Sequence, residues 1–305
     1  MMQTKPTDIL TQLHRLGESW PRDPRYYQIA ILSALLIYGI VWLAFDVAWL
    51  QVATLLGTVL ITQFFCAKLA GVQNFDPRSP LISGLSLCLL LRTNDPLLMI
   101  AAAVVTIASK FTLKWHGKHI FNPTNFGIVA IIALTGKAWV SPAQWGSKLY
   151  FAFLMACLGG LVIHRAMRSD VSYAFILSYA AILFGRALWL GDPAAIPLKQ
   201  LQSGALLLFT FFMISDPKTT PDSRPGRILF GLLVAIGAAY IQFRLYRTNG
   251  LLWSLAVCSM LTPFIDYLLP GTKYRWDSLI TSVTRDGAGR EKTRFMPRPA
   301  ARPVG

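Results

Sequence analysis

Residues 47–72 and 171–190 are apolar almost without interruption, and each is long enough as a helix to cross a hydrocarbon core of about 30 Å. Backbone groups placed in lipid must bond to one another, which a helix achieves within a single segment. Such runs therefore dictate membrane helices. Similar or shorter apolar runs cover 28–45, 81–91, 97–111, 126–134, 149–163, 204–214, 228–241 and 251–269, about ten in all. Over the whole chain, 54% of the residues are hydrophobic and 14% charged, with a mean hydropathy of +0.49, a combination foreign to soluble domains of this length.

The net charge of +15 comes from Lys and Arg gathered at the ends and between the apolar runs. That pattern is a topology signal facing anionic lipid and argues against a nucleic-acid partner. It places both termini on the cytoplasmic side of the plasma (inner) membrane, whether every run crosses or the two short runs are re-entrant. Residues 1–26 lack the apolar stretch of a signal peptide. Ile9, Leu10, Leu13 and Leu16 share one face after Thr7, which predicts a short helix on the membrane surface. Residues 27–270 form the membrane domain, and the tail 271–305, rich in Arg, Gly and Pro, reads as a basic cytoplasmic end. Cys66, Cys88, Cys157 and Cys258 lie singly in apolar runs and read as small core residues.

One run is too short for its surroundings. Residues 204–214 reach only roughly 16 Å as helix, about half a span, and end in Ser-Asp-Pro-Lys-Thr-Thr-Pro. Its counterpart is 81–91: Ser83-Gly84 stands about a dozen residues before Asp95-Pro96, as Ser203-Gly204 does before Asp216-Pro217, at an offset of about 120 residues. Paired short segments with Gly and Pro mark a repeat fold whose site lies where half-helices meet. The predicted architecture is an all-α polytopic protein of about ten transmembrane helices in two inverted five-helix repeats, 27–136 and 147–270.

The segments "GKHIFNPTNFGIVAI" (117–131), "SGALLLFTFFMISDPKTTPDSRPGRILFGLLVAI" (203–236) and "MLTPFIDYL" (260–268) resemble the signature blocks of the RnfD and NqrB family. That family comprises membrane subunits of Rnf-type and Na+-translocating NADH:quinone oxidoreductase complexes, which carry flavin and pump ions. The resemblance implies a ten-helix inverted repeat, electron transport linked to ion movement, and other membrane subunits of a redox complex as partners beside the bilayer. It also implies FMN attached to a Thr in a Ser/Asp-Gly-Ala-Thr motif between the halves. Here the loop 135–150 has no such motif, and Ser203-Gly204-Ala205 is followed by Leu206. Covalent FMN is not expected, which leaves noncovalent FMN or riboflavin open.

The residues themselves mark the candidate site. Pro217 turns Asp216 out of the helix, so the last carbonyls need partners that Lys218, Thr219 and Thr220 can supply; an ion, phosphate or flavin-edge site and a capped helix end fit equally. Ser83, Gly84, Ser203 and Gly204 offer backbone N–H groups and close approach at the other end of each half-helix, or else close helix packing. Asn122, Pro123, Thr124 and Asn125 line a pathway or hold a broken helix together. Asp266 is the acid most deeply set in apolar sequence, with Lys273 and Arg275 near enough to place it at the cytoplasmic edge instead. His116 and His119 have no acid in register, and no metal site is expected. Soluble-type catalytic motifs are lacking, so the chain is at most a non-catalytic subunit of an oxidoreductase. A stand-alone small-solute transporter or channel without redox chemistry is the rival reading, and a structural anchor the third.

Overall fold

A computed structural model describes residues 23–140 and 149–274, with 283–285 and 291–293. The surface helix expected at the N-terminus, part of the loop 135–150 and nearly all of the tail lie outside these residues.

Each of the apolar runs falls on a helix. In the first half these are α1 (Pro24–Trp42), α2 (Trp49–Leu69), α3 (Arg78–Leu90), α4 (Pro96–Thr112) and α5 (Pro123–Thr135). In the second they are α6 (Leu149–Arg165), α7 (Ser169–Leu190), a short α8 (Ala195–Leu201) that the hydropathy pattern does not signal, α9 (Gly204–Leu208), α10 (Arg224–Phe243), α11 (Gly250–Ser259) and α12 (Thr262–Leu268). α9 runs on as a π-helical turn, Phe209–Met213. The starts are chemically marked. Asp23, Asp95 and Asn122 cap α1, α4 and α5 through side-chain oxygens, and each precedes a Pro that needs no N–H partner.

Among the described residues four helices, α1, α2, α7 and α10, are long and apolar enough to cross a membrane, and α11 with α12, bent by 51°, make a fifth if taken as one span. Their outward faces carry large apolar side chains: Ile61, Phe64 and Phe65 on α2, Leu177, Leu188 and Trp189 on α7, Ile236 and Tyr240 on α10. A water-soluble surface does not gather such residues, and lipid accepts them. The chain is a polytopic α-helical membrane protein.

Within the first half, α2 packs on α4, α4 on α5, and α3 against both α1 and α2. Within the second, α7 packs on α10, α10 on α11, and the 204–213 segment against α6 and α7. The halves meet where α5 touches α11 and α1 touches α6. At the first of these contacts Asn125 Nδ2 donates to Leu252 O at 3.1 Å, joining the first turns of the two helices. Short antiparallel strand pairs join loops of the first half. Leu91–Thr93 (β1) pairs with Ala138–Val140 (β4), and Lys114–Trp115 (β2) pairs with Lys118–His119 (β3). The β2–β3 pair is a hairpin that turns through His116 (φ 50°) and Gly117 (φ 80°), the doubly positive φ pattern of a tight turn.

The two short segments differ from expectation in one respect. Ser83 and Gly84 lie in the interior of α3, so their N–H groups belong to the helix and are not offered to a ligand. The helix starts earlier because Arg78 and Ser79 extend it, and Gly84 serves packing: a Cβ there would come within 2.8 Å of both Leu56 and Val59 on α2. Ser203 and Gly204 do stand at a helix start, as N-cap and first residue of α9. Cys66 is part-buried, Cys88 and Cys258 are buried as expected, and Cys157 is exposed on α6.

Candidate functional site

A cavity of about 140 Å³ lies where the ends of several helices converge. Its wall is built by the first turns of α1, α3 and α5, the last turns of α4 and α6, and the end of the π-helical turn with the loop after it. Seven of the residues singled out in the sequence line it: Ser83, Asn122, Pro123, Thr124, Asp216, Pro217 and Lys218. They come from three segments, successive ones about 40 and 90 residues apart in the chain.

Asn122 does two things at once. Its Oδ1 accepts the Asn125 N–H at 3.0 Å, capping α5, and its Nδ2 donates to Met213 O at 3.2 Å and lies 3.4 Å from Asp216 Oδ2. Both readings of the Asn-Pro block thus meet in one side chain, which holds a helix start and reaches the cavity wall. Thr124 Oγ1 lies 3.5 Å from Ser83 O, linking α5 to α3. Asp216 folds the chain back after the π-helical turn. Its Oδ1 accepts the Lys218 N–H at 3.0 Å, and its carbonyl accepts the N–H groups of Thr219 and Thr220 at 3.1 Å each. Burial pushes the Asp216 carboxyl above its ordinary range, against the pull of the Lys218 N–H, Lys110, Lys218 and Arg168.

Sequence reasoning missed several members of this site. Lys110, in the last turn of α4, is 6% exposed and donates to Ser79 Oγ at 3.1 Å. Its position one residue before the end of an apolar run reads as a snorkelling end, so a cation inside that run was the signal. Ser79, Ser86, Ser215, Arg25 and His119 also line the cavity. Burial lowers His119 to about 4, and Lys114, Lys110 and Lys218 push the same way, so the imidazole is neutral near pH 7; its Nδ1 has no partner among the described residues. Arg168, beside the cavity, donates to Thr220 Oγ1 at 3.1 Å and stacks over Tyr274.

The other sequence candidates fall elsewhere. Asn125 points to the contact between the halves, and Thr219 and Thr220 support the turn without lining the cavity. Gly84, Ser203 and Gly204 are also outside it. Asp266 is matched by a residue far along the chain and not by Lys273, while Arg275 lies outside the described residues: Lys118 Nζ lies 2.6 Å from its Oδ2 and 2.9 Å from Asp222 Oδ1, and the Asp222 N–H donates to Asp266 Oδ1 at 2.7 Å. Lys273 instead donates to His116 O. Among the described residues no three His, Cys, Asp or Glu gather in a way that could hold a metal ion.

Residues 137–275 match the model of the NQR2, RnfD, RnfE family. That stretch, a little under half of the chain, carries the family's pattern. The matched stretch includes 203–236 and 260–268, with Asp216, Lys218 and Asp266, while 117–131 precedes it. A protein of Erwinia tasmaniensis, named as a subunit of an ion-translocating oxidoreductase complex, is 32% identical over 149 residues, 48% of this chain and 37% of that protein. A protein of Salmonella paratyphi B with the same name is 30% identical over 139 residues, 44% of this chain and 36% of that protein. The alignments thus span little more than a third of these relatives.

The flavin that the RnfD and NqrB resemblance implies does not fit the inner cavity. At about 140 Å³ it is well below the roughly 300 Å³ at which pockets for drug-sized ligands begin. An open groove of about 520 Å³ between the β2–β3 hairpin and α12 is large enough for a ring system and is lined by the aromatic residues Trp115, His116, Phe264 and Tyr267. Its floor is the Lys118–Asp222–Asp266 cluster.

Proposed function

We propose that this chain is a membrane subunit of an ion-translocating oxidoreductase complex, working beside other membrane subunits of that complex. The observation that carries the reading is the family match over 137–275, in the half that supplies Asp216, Pro217 and Lys218 to the cavity. The cavity, with Ser83, Asn122, Pro123 and Thr124 from the other half, is its functional site. The subunit crosses the cytoplasmic membrane about ten times in two inverted halves, with both termini inside. Two features support this arrangement: the matching order of packing in the two halves, and the meeting of the α5 and α11 first turns.

A tagged chain solubilised from native membranes in mild detergent should bring down redox subunits identifiable by mass spectrometry. Vesicles from cells lacking it should lose ion-coupled electron transfer. A chain that purifies alone, and whose loss leaves that coupling intact, would overturn the reading in favour of solute transport. For topology, Lys137→Cys should be labelled from outside and Arg224→Cys only after permeabilisation. Labelling of both from the inside would support re-entrant short segments instead.

A further inference from the structure

We infer that the inner cavity is an oxyanion site, taking one phosphate-sized group with the Lys110 ammonium as its counter-charge. The inference rests on the cavity being a functional site, though not on the chain's place in a complex. Its starting point is an imbalance of charge. Arg25 and Arg78 are matched by Asp23 and Asp76, Lys118 by Asp222 and Asp266, and Arg227 by Asp170. Lys110 is as buried as Arg25, yet it forms no ion pair among the described residues, and its hydrogen bond there is to a neutral hydroxyl. Asp216, the acid in the same wall, already accepts from the Lys218 N–H and faces Asn122 Nδ2.

A buried ammonium with no acid in ion-pair contact is costly, and the more distant Asp216 carboxylate and the end of the α4 dipole offset only part of that cost. The remaining compensation has to come from the cavity that the ammonium faces. Apart from the Asp216 carboxylate, the charged and polar groups of the wall favour an anion. The N-terminal turns of α3 and α5, each a helix of 13 residues, present their positive ends to it. Lys218 also lines the wall. Ser79 accepts from Lys110 and so keeps its own hydroxyl proton to donate. The volume of about 140 Å³ holds a small oxyanion with a few waters and excludes a larger body.

The test is a phosphate titration of the full chain, purified in phosphate-free detergent buffer and held at constant ionic strength. The Tm should rise with the logarithm of phosphate concentration. Lys110→Met should abolish the rise and, without phosphate, melt no lower than the wild type, because an apolar chain of similar length replaces the buried ammonium. Ser79→Ala, which keeps the charge, should weaken the apparent affinity about tenfold, and Lys137→Met, outside the cavity, should respond fully. Native mass spectrometry distinguishes the sources of the anion. Free phosphate gives an adduct of its own mass; the phosphoryl end of a larger molecule gives a heavier adduct that inorganic phosphate displaces. The inference is overturned by a wild-type Tm indifferent to phosphate with no adduct of either kind, or by variants at Lys110 and Ser79 that respond as the wild type does. Neither result would change which subunits co-purify with the chain.

Discussion

The two short segments, α3 and the α9 helix with its π-helical turn, share a Ser-Gly and an Asp-Pro in sequence yet solve their ends differently. α3 is a regular helix of 13 residues with its Ser-Gly inside, and its C-terminus is closed by Arg92, whose guanidinium donates to Cys88 O, Leu91 O and Leu89 O at 2.9, 2.7 and 3.3 Å. The second segment begins at its Ser-Gly, widens into a π-helical turn and ends on Asp216, which turns the chain by accepting N–H groups from the residues that follow. The Asp-Pro pairs diverge too. Asp95-Pro96 caps and opens α4, whereas Asp216-Pro217 opens a turn. A dipeptide therefore specifies the local geometry it permits, and its neighbours decide which use is made of it.

The largest effect should come from Gly84→Leu. A Cβ at that position already meets Leu56 and Val59 at 2.8 Å, so a leucine should cost at least about 3 kcal/mol in overpacking and lower the monodisperse yield in detergent several-fold. Equal losses in Gly204→Leu would restore the equivalence of the two Ser-Gly pairs, and normal yield in Gly84→Leu would remove the close α2–α3 contact.

Next, Arg92→Ala removes the donors that satisfy three carbonyls at the end of α3, and should destabilise by about 1–3 kcal/mol in thermal melts. Asp216→Asn retains an oxygen to accept the Lys218 N–H and should cost less, about 1 kcal/mol. The reverse order would mean that the turn, not the guanidinium cap, is the more demanding end. Smaller again, Ser172→Ala deletes the 2.7 Å hydrogen bond from α7 to Thr210 O in the π-helical turn, for a loss of about 1 kcal/mol. Ser83→Ala, which deletes only a 3.2 Å bond within α3, should shift the Tm less than Ser172→Ala; the opposite ranking would argue against the π-helical turn being pinned from α7.

The smallest effect concerns the loop that leads into α3. Burial works to raise Asp76, but the hydrogen bonds and charge of Arg78 and Arg25 overcome it and hold the carboxyl at about 2 against an ordinary 3.8. A lowered carboxyl pKa stabilises the folded state above the unfolded value and loses that contribution as pH falls through the folded one. A modest decline in Tm is therefore expected between about pH 3.8 and 2, and Asp76→Asn should flatten it. An unchanged slope in Asp76→Asn would assign acid sensitivity to other groups.

Much of the candidate site was legible in its parts. Asn122-Pro123 and Asp216-Pro217 stand out because a residue with a short polar side chain before Pro marks a break wherever it occurs. Their partners were not legible. Lys110 looks like a helix-end charge, Arg25 like one more topology signal, and Asp266 has a basic neighbour along the chain, Lys273, that it does not use, while its actual partner Lys118 is 148 residues away. For Gly84 the sequence left ligand approach and close packing both open, because only the position of α2 shows what a side chain there would strike.

By itself the amino-acid sequence determined that this is a bundle of membrane helices, roughly where each begins, and which residues break them. Hydropathy, capping and the proline ring act within a turn or two of the chain, so they can be read there. The tertiary structure alone decided that Lys110 meets Ser79 beside Asp216, that Lys118 joins Asp222 to Asp266, and that α5 and α11 touch at their first turns. Ion pairs and close packing depend on distance in space, and that distance is set by how all the helices pack together.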